Sequence, residues 1–404
     1  MEHINLEYSI PVLDTAEIIV VGGGPAGIAA AISAARCKKK VILIEQNAQL
    51  GGMATTGNVA IFMPVGNQTG IYAEITQETG MTEQQDRSWG FAPQFDPHRL
   101  RYYFNEKLKN EGVQIFFHCA FVSTIKVGNR VTGIVMNTRE GLRALMGEVF
   151  LDCTGDARVA IEAGVPYHSG RETDGLTQHM TLMFSMQNTG KPVKRELPEG
   201  CYHYETVEDL PQGRILHWER LDDGTLLINM TRIKANATNT REVSVAEQEL
   251  MKQVLSVADY LQRNGFENYI LSHVAAQAGV RETNQIVGLY TLTEDDLFSA
   301  RKFADAVAQS DYQIDIHSPD GGKSCNVQDL SSYDIPYRCL VPKGVEGLLV
   351  AGRSLSATHV AMSSARVMPT CFALGEAAGI AAAIAVDEQC SLADIDITSH
   401  IKLG

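Results

Sequence analysis

Residues 16–45 read AEIIVVGGGPAGIAAAISAARCKKKVILIE and decide the fold, because they spell one complete strand, glycine turn, helix and second strand ending in an acid. Ile18 to Val21 and Val41 to Ile44 are buried-strand runs, and the segment between them is rich in alanine, as a helix should be. This is the pattern of a dinucleotide site. Gly22 and Gly24 let the backbone turn tightly and approach a pyrophosphate, Pro25 and Ala26 open the helix, and Gly27 lets that helix lie close to the sheet. Free N–H groups and the dipole of the helix start then favour an anion. Glu45, 23 residues past Gly22, is placed to accept the ribose hydroxyls of an adenosine, with Gln46 beside it. A loop that merely turned would not need that acid.

The residues after Glu45 select the dinucleotide. The run QNAQLGGMATTGNVA looks like the flavoprotein pattern, which implies that the glycine pair Gly51 and Gly52 lets a loop press against the ribityl chain and ring, with Met53 to Thr56 continuing beside it. Near the other end, GVEGLLVAGRSLSATHVAMSSARVMPTCFALGEAAGIAAA supplies a strand, a turn at Gly352-Arg353 and a long small-residue helix. Between these lie FDPHRLRYYFNEKLKNEGVQIFFHCAFVSTIKVGNRVTGIVMNTREG and EVFLDCTGDARVAIEAGVP. Taken together, the order resembles the glutathione-reductase-type FAD fold, and more closely the FAD-dependent oxidoreductases related to the fumarate reductase and succinate dehydrogenase flavoproteins.

The resemblance covers nearly the whole chain and extends to TLMFSM, NMTRI, QAGVRETNQIVGLYTLTEDD, DIHSPDG and DIPYRCLVP. It implies FAD as the cofactor. It also implies that the strand carrying Val122 contacts the adenine through its backbone, and that the Thr154-Gly155-Asp156 turn lies against the cofactor. By the same resemblance, Gly352 and Arg353 touch the middle of FAD, and the helix start around Arg366, Val367 and Met368 points at the pyrimidine edge of the flavin, where its dipole favours negative charge. Two departures stand out. The fumarate reductase relatives have an acid where Arg353 stands, and a second arginine three places after Arg281 is here Asn284.

The implied architecture is α/β: a Rossmann-like FAD-binding domain from 1–160 and 310–404, interrupted by a strand-rich α+β substrate domain over 161–309. TQHMTLMFSMQNT alternates as a half-buried strand, and GRILHWERLDDGTLLINMTRI reads as two strands around Asp222-Asp223-Gly224. VSVAEQELMKQVLSVADYLQRNG carries Val245, Leu250, Val254, Leu255, Val257, Ala258 and Leu261 at helical spacing, with Gly265 as its stop.

Composition narrows the partners. The 404 residues carry 34 basic and 48 acidic groups, a formal net charge of -14, which argues against nucleic acid or an anionic membrane as the main partner. No apolar stretch is expected to reach the ~18 residues that span a bilayer. The N-terminal residues lack the basic start and apolar core of a signal peptide, so a cytoplasmic enzyme is the expectation. A homo-oligomer stays open. Eight cysteines are scattered with no CxxC pair, so no dithiol, iron–sulfur or zinc site is expected.

A flavin needs polar groups over its face to fix a substrate and handle one proton. His359, seven residues after Gly352, roughly matches a substrate-holding histidine of the fumarate reductase relatives, and Arg366 loosely matches their substrate-binding arginine. Arg281 sits in a largely apolar stretch, where it either pairs with Glu282 or another acid or projects into a polar cavity. His317 and Arg338 belong to family-like segments and complete the candidates. No other GxGxxG lies between a strand and a helix. The second electron partner is therefore expected to be a diffusible acceptor or donor, with transient NAD(P)H binding left open. Hydride transfer between a small organic substrate and flavin N5 is the leading expectation. A monooxygenase, an electron-transfer subunit and a non-redox FAD-binding protein remain alternatives.

Overall fold

A computed structural model describes residues 4–66, 69–81, 94–220, 223–401 and 403. The strand β1 (Val12–Val21) passes from an exposed start into a buried end, turns through the glycines into α1 (Pro25–Arg36), and returns as the fully buried β2 (Val41–Glu45). After α2 (Gly70–Glu78) comes α3 (Pro97–Asn110), whose N-cap Asp96 accepts from the backbone N–H groups of His98 and Arg99. Then come β3 (Gln114–Phe117), β4 (Ala120–Val127), β5 (Arg130–Thr138) and β6 (Gly141–Asp152).

The middle of the chain holds α4 (Arg158–Ala163), β7 (Tyr167–Ser169), β8 (Phe184–Asn188), β9 (His217–Glu219), β10 (Leu226–Ile228), α5 (Thr240–Arg263), β11 (Tyr269–Val274) and β12 (Asn284–Ile286). It continues through α6 (Glu294–Phe298), β13 (Ala306–Ser310), β14 (Ile314–His317), β15 (Cys325–Gln328) and β16 (Tyr333–Pro336). The last elements are β17 (Leu348–Val350), α7 (His359–Ala365) and α8 (Met368–Glu388).

Seven strands form the main sheet. Its parallel half runs β3-β2-β1-β6, with Ile18 to Val21 opposite Val41 to Ile44, and β17 beside the end of β6. Antiparallel β5 and β4 continue the sheet from the first half of β6. Unbroken apolar strands suit the parallel half because it is covered on both faces. Helices α1 and α8 pack together on one side, and Gly375 and Gly379 make this possible: a Cβ there would stand 2.0 Å from the Ala26 carbonyl and 2.3 Å from that of Ala30.

Helix α8 corrects one expectation. Its 21 residues, with mean hydropathy 1.6, are long and apolar enough to cross a membrane, where no such stretch is expected from the sequence. With 72% of its apolar window buried inside the molecule, it is a core helix.

A separate antiparallel sheet, β11-β8-β10-β9, holds the strand-rich region, with α5 against β11. The hairpin of β9 and β10 forms as expected, Leu226 opposite Glu219 and Ile228 opposite His217, while Asp222 of its turn lies outside the described residues. Two readings change. The segment 177–188 is regular strand only from Phe184, and its earlier residues are buried on both faces rather than one, joined by bridges to Ile233 and Gly279. In α5 the apolar stripe buries Leu250, Val254, Val257 and Leu261, but Val245 is exposed because the helix starts earlier, at Thr240, and its first turns lie off the core. Short pairs β7/β12, β13/β16 and β14/β15 complete the chain.

Between the two sheets runs a seam that the segment 276–284 makes. Ala276 N–H donates to the Thr56 carbonyl (3.0 Å), Thr283 Oγ1 to that of Gly155 (2.9 Å) and Asn284 Nδ2 to that of Asp156 (3.0 Å). Asn58 Nδ2 donates to Ser185 Oγ at 3.2 Å.

Candidate active site

The glycine turn is built around contacts that only glycine permits. Gly22 has φ +105° and a Cβ there would stand 2.5 Å from the Cys153 carbonyl; a Cβ on Gly27 would stand 1.8 Å from that of Gly22. At Gly24, by contrast, a Cβ would meet nothing within 4 Å. The open side of the turn is therefore Gly24. Pro25 and Ala26 begin α1, which has no side-chain cap and no acid in its first turn, so its leading N–H groups are left for an external anion.

Glu45 is buried, and its carboxylate accepts from Gly23 N–H (2.8 Å) and Asn47 N–H (2.7 Å). Burial pushes its carboxyl above the ordinary range, against the pull of those two N–H groups. Gln46, next to it, is exposed. Gly52 and Met53 open a short turn of 3-10 helix, and Thr56 Oγ1 accepts from Gln49 Nε2 at 3.1 Å. Val122 falls where the β4–β5 register shifts, between the pairs Phe121–Met136 and Ser123–Val135, so the bulge frees its backbone from the ladder.

Asp152 fixes the next turn: Oδ1 accepts from Thr154 N–H (3.1 Å) and Oγ1 (2.7 Å), and Oδ2 from Ala160 N–H (3.0 Å). Arg353 then closes the seam. It donates to the Gly155 carbonyl (2.9 Å), to the Val280 carbonyl (2.6 Å) and to Asp156 Oδ1 (2.7 Å). Its guanidinium is thus occupied by protein groups, which explains how an arginine fits here. Gly352 packs on Ala26, and Val367 is the N-cap of α8, whose start at Met368 also has no side-chain cap and no acid in its first turn.

The expected catalytic groups fall into two sets. His359 opens α7 and is buried, its Nδ1 2.7 Å from Oε1 of the buried Glu282. A carboxylate only accepts, so Nδ1 carries the hydrogen and Nε2 is the atom left for exchange. Glu282 Oε2 accepts from Gln178 N–H (2.9 Å), and Gln178 Oε1 accepts from His317 N–H (3.2 Å). His317 Nε2 lies 3.5 Å from Asp315 Oδ1, and Arg366 donates to the Asp315 carbonyl at 3.2 Å. Four of the candidates, His359, Arg281, Arg366 and His317, share this neighbourhood. Arg338 does not join it: its guanidinium is held by Asp305 at 2.8 Å, half exposed, over the Tyr290 ring.

Arg281 does not pair with Glu282. Its Nη1 donates to the His179 carbonyl and to Thr181 Oγ1, both at 2.8 Å, and burial together with Arg366 pushes its guanidinium down to about 10. Arg232, 6% exposed, is held by Gln212 and by the carbonyls of Lys323 and Ser324, with no carboxylate partner among the described residues. Burial is the main cause that lowers His179 to about 4 and His317 to about 3, with Arg232 adding to the first and Arg281 to the second. Burial would raise Asp315, but His317, Arg366 and Arg281 outweigh it and hold the carboxyl well below the usual range.

Several buried donors point at no protein partner: Gln178 Nε2, Arg232 Nε and Arg366 Nε, with His179 Nδ1 beside them. Sequence reasoning missed Glu282 as the histidine's partner, and also Asp315, Gln178, Arg232 and Cys325. One signal was legible: in DIHSPDG the spacing of Asp315 and His317 puts both on one face of a strand. Cys325 joins them, one ligand atom from each lying within 4.8 Å of the others. Such a set can hold a metal ion. Here Arg214, Arg232, Arg281 and Arg366 surround it, and that field favours an anion over a cation.

The model of the FAD-dependent oxidoreductase family matches residues 17–402, and the chain belongs to that family. It is an enzyme with FAD as its cofactor. The particular relatives are distant. An aromatic hydroxylase from angucycline biosynthesis, CabE, aligns over 93% of this chain and 63% of its own length with a TM-score of 0.50 and 15% identity. A geranylgeranyl bacteriochlorophyll reductase-like protein from Thermoplasma acidophilum gives 0.49 and 13% over 93% of this chain and 80% of that one. The anhydrotetracycline hydroxylase OxyS from Streptomyces rimosus gives 0.48 and 12%, over 93% and 63%. No curated protein sequence matches.

The residues fit the cofactor on two observations: the turn is open at Gly24 alone of its three motif glycines, and two uncapped helix starts carry no acid.

Proposed function

We propose that this enzyme transfers a hydride equivalent between FAD and a small organic acid, with Gly22 to Gly27, Glu45, Gly52 to Thr56, Val122, Thr154 to Asp156, Gly352, Val367 and Met368 holding the cofactor. The observation that carries the substrate class is the pair of buried guanidinium groups, Arg281 and Arg232, that make no ion pair with a carboxylate among the described residues, Asp315 acting on both only through space. Burying a charge unpaired is costly, so a site that does it is built for a counter-charge that arrives with the ligand. A carboxylate fits a guanidinium fork best.

Bound FAD supplies the two-electron chemistry; the chain supplies binding and proton handling. Arg281, Arg232 and Arg366 hold the acid group. His359 Nε2 gives or takes the proton, while Glu282 fixes the ring through Nδ1. His317 stays neutral and serves as a donor or acceptor, because burial keeps it from taking a charge. Electrons leave or arrive through a diffusible second partner, and eight free thiols suit a reducing cytoplasm.

Anaerobic bleaching of the flavin across small organic acids and their neutral amides tests the reading. Acids that bleach the flavin, or reoxidise it once reduced, while their amides do not, are expected. Equal response to both, or response to neither, overturns it.

A further inference from the structure

The hairpin of β14 and β15 places Cys325 opposite His317. Cys325 Sγ lies 3.3 Å from His317 Nδ1, whose Nε2 faces Asp315. With Nε2–H toward the carboxylate, Nδ1 is the lone pair that the thiol can donate to. Two guanidinium groups stand over the same sulfur, Arg214 Nη2 at 3.8 Å and Arg232 Nη1 at 4.0 Å. Arg232 is fixed there by the carbonyls of Lys323 and Ser324, the residues that lead into Cys325. Arg232 Nε and Gln178 Nε2, on side chains 6% and 1% exposed, have no partner among the described residues. Cys325 itself is half-buried between exposed neighbours, so small molecules can reach it.

We propose that Cys325 is a nucleophilic thiol in an anion-recognising pocket, a site of covalent modification by small electrophiles that carry a carboxylate. The guanidinium groups draw the carboxylate in and stabilise the thiolate before it attacks, while the neutral His317 orients the sulfur through Nδ1. With an α-halo acid the thiol proton goes to solvent, the sulfur lone pair forms the S–C bond, the carbon–halogen bond breaks, and halide leaves with the bonding pair. No electron donor or acceptor is needed. The thiol step therefore passes no electrons to the flavin, although its pocket shares Arg232 with the proposed substrate site.

The probes are iodoacetate and iodoacetamide, which differ in charge but not in leaving group, applied to the FAD-loaded full chain. Alkylated cysteines are located by peptide mass mapping, with exposed Cys37 as the internal control. Cys325 should react with iodoacetate on the order of tenfold faster than with iodoacetamide, a preference that Cys37 lacks and that high salt weakens. Arg232→Gln should abolish the preference, and Arg214→Gln, on the exposed arginine, should reduce it even if the first variant does not fold. Iodoacetamide reacting as fast at Cys325, a preference unchanged in Arg214→Gln, or labelling of Cys37 with Cys325 untouched overturns the proposal. Flavin content and substrate bleaching are read on the same samples, so failure of the thiol and failure of the hydride-transfer reading are distinguished.

Discussion

At the residue scale, Gly24 and Gly27 separate holding the cofactor from holding the fold. Gly24 has φ -78° and ψ -174°, extended backbone that any residue adopts, and open space where its Cβ would stand. Gly24→Val should therefore fold within about 1 kcal/mol of the parent and yet purify without flavin, as a thermal melt beside a flavin absorbance spectrum would reveal. Gly27→Val should lose both, because its side chain meets the Gly22 carbonyl. A yellow Gly24→Val protein would mean that the pyrophosphate lies elsewhere. The buried His359–Glu282 pair makes a sharper claim about proton handling. His359→Ala and Arg281→Ala should keep stoichiometric FAD and lose substrate-driven reduction by roughly 100-fold or more. Glu282 is proposed to position the ring through Oε1, while its Oε2 accepts from Gln178 N–H, so Glu282→Gln should lower the maximal rate and shift its pH profile with little change in KM. Normal turnover in His359→Ala would make that histidine structural, and lost FAD would move it to the cofactor site.

Among the elements, the packing of α8 on α1 is the contact most open to test. A Cβ on Gly379 would sit 2.1 Å from Ser33 Oγ and 2.3 Å from the Ala30 carbonyl, so the two helices touch through backbone. Gly379→Val should cost about 1–3 kcal/mol by overpacking, seen as a lower denaturant midpoint, and should weaken FAD binding because both helix starts move apart. An unchanged midpoint would contradict that packing. This scale also explains what the sequence could disclose. β1, α1, β2 and α8 were legible because each carries its own periodicity and its own glycine or proline punctuation. Residues 177–183 were not, since their alternation of polar and apolar side chains suggests one wet face, whereas tertiary packing covers both. Arg281 could be singled out as a charge in an apolar stretch, and His359 by its place seven residues after Gly352 and its rough match to a histidine of the fumarate reductase relatives. Glu282 as a partner, Arg232 and Cys325 could not, because the contacts that matter join positions far apart: His359 and Glu282 are 77 residues apart, and Arg232 and Cys325 are 93. No local pattern encodes such a meeting.

On the scale of the whole molecule, a net charge of -14 coexists with a cluster of guanidinium groups, so the proposed anion site would work as a local field inside an acidic protein. Its histidines link that site to acid stability. Unfolded, His179 and His317 titrate near 6.5; folded, they are held at about 4 and about 3, chiefly by burial. Above 6.5 both states are neutral and no difference arises. As pH falls from there toward about 4, the unfolded chain takes protons that the folded one refuses, so stability should drop through that window. Thermal midpoints taken across it should fall, and less steeply in His179→Gln; a flat profile would place these rings in water. The motifs within these 404 residues also bear on where electrons can come from. One strand–glycine–helix unit carries the GxGxxG pattern, and its open turn is the one proposed to hold FAD. A nicotinamide dinucleotide would need its own pyrophosphate cradle to bind tightly, and no second such motif exists in the 404 residues. NADH and NADPH should accordingly reduce the flavin slowly or not at all in anaerobic stopped-flow mixing, while a substrate acid or its reduced counterpart exchanges electrons with it. Saturable bleaching within milliseconds at micromolar nicotinamide would reveal a nucleotide pocket built from other elements, and would make an oxygen-using reaction, with the nicotinamide as reductant, the better account of this enzyme.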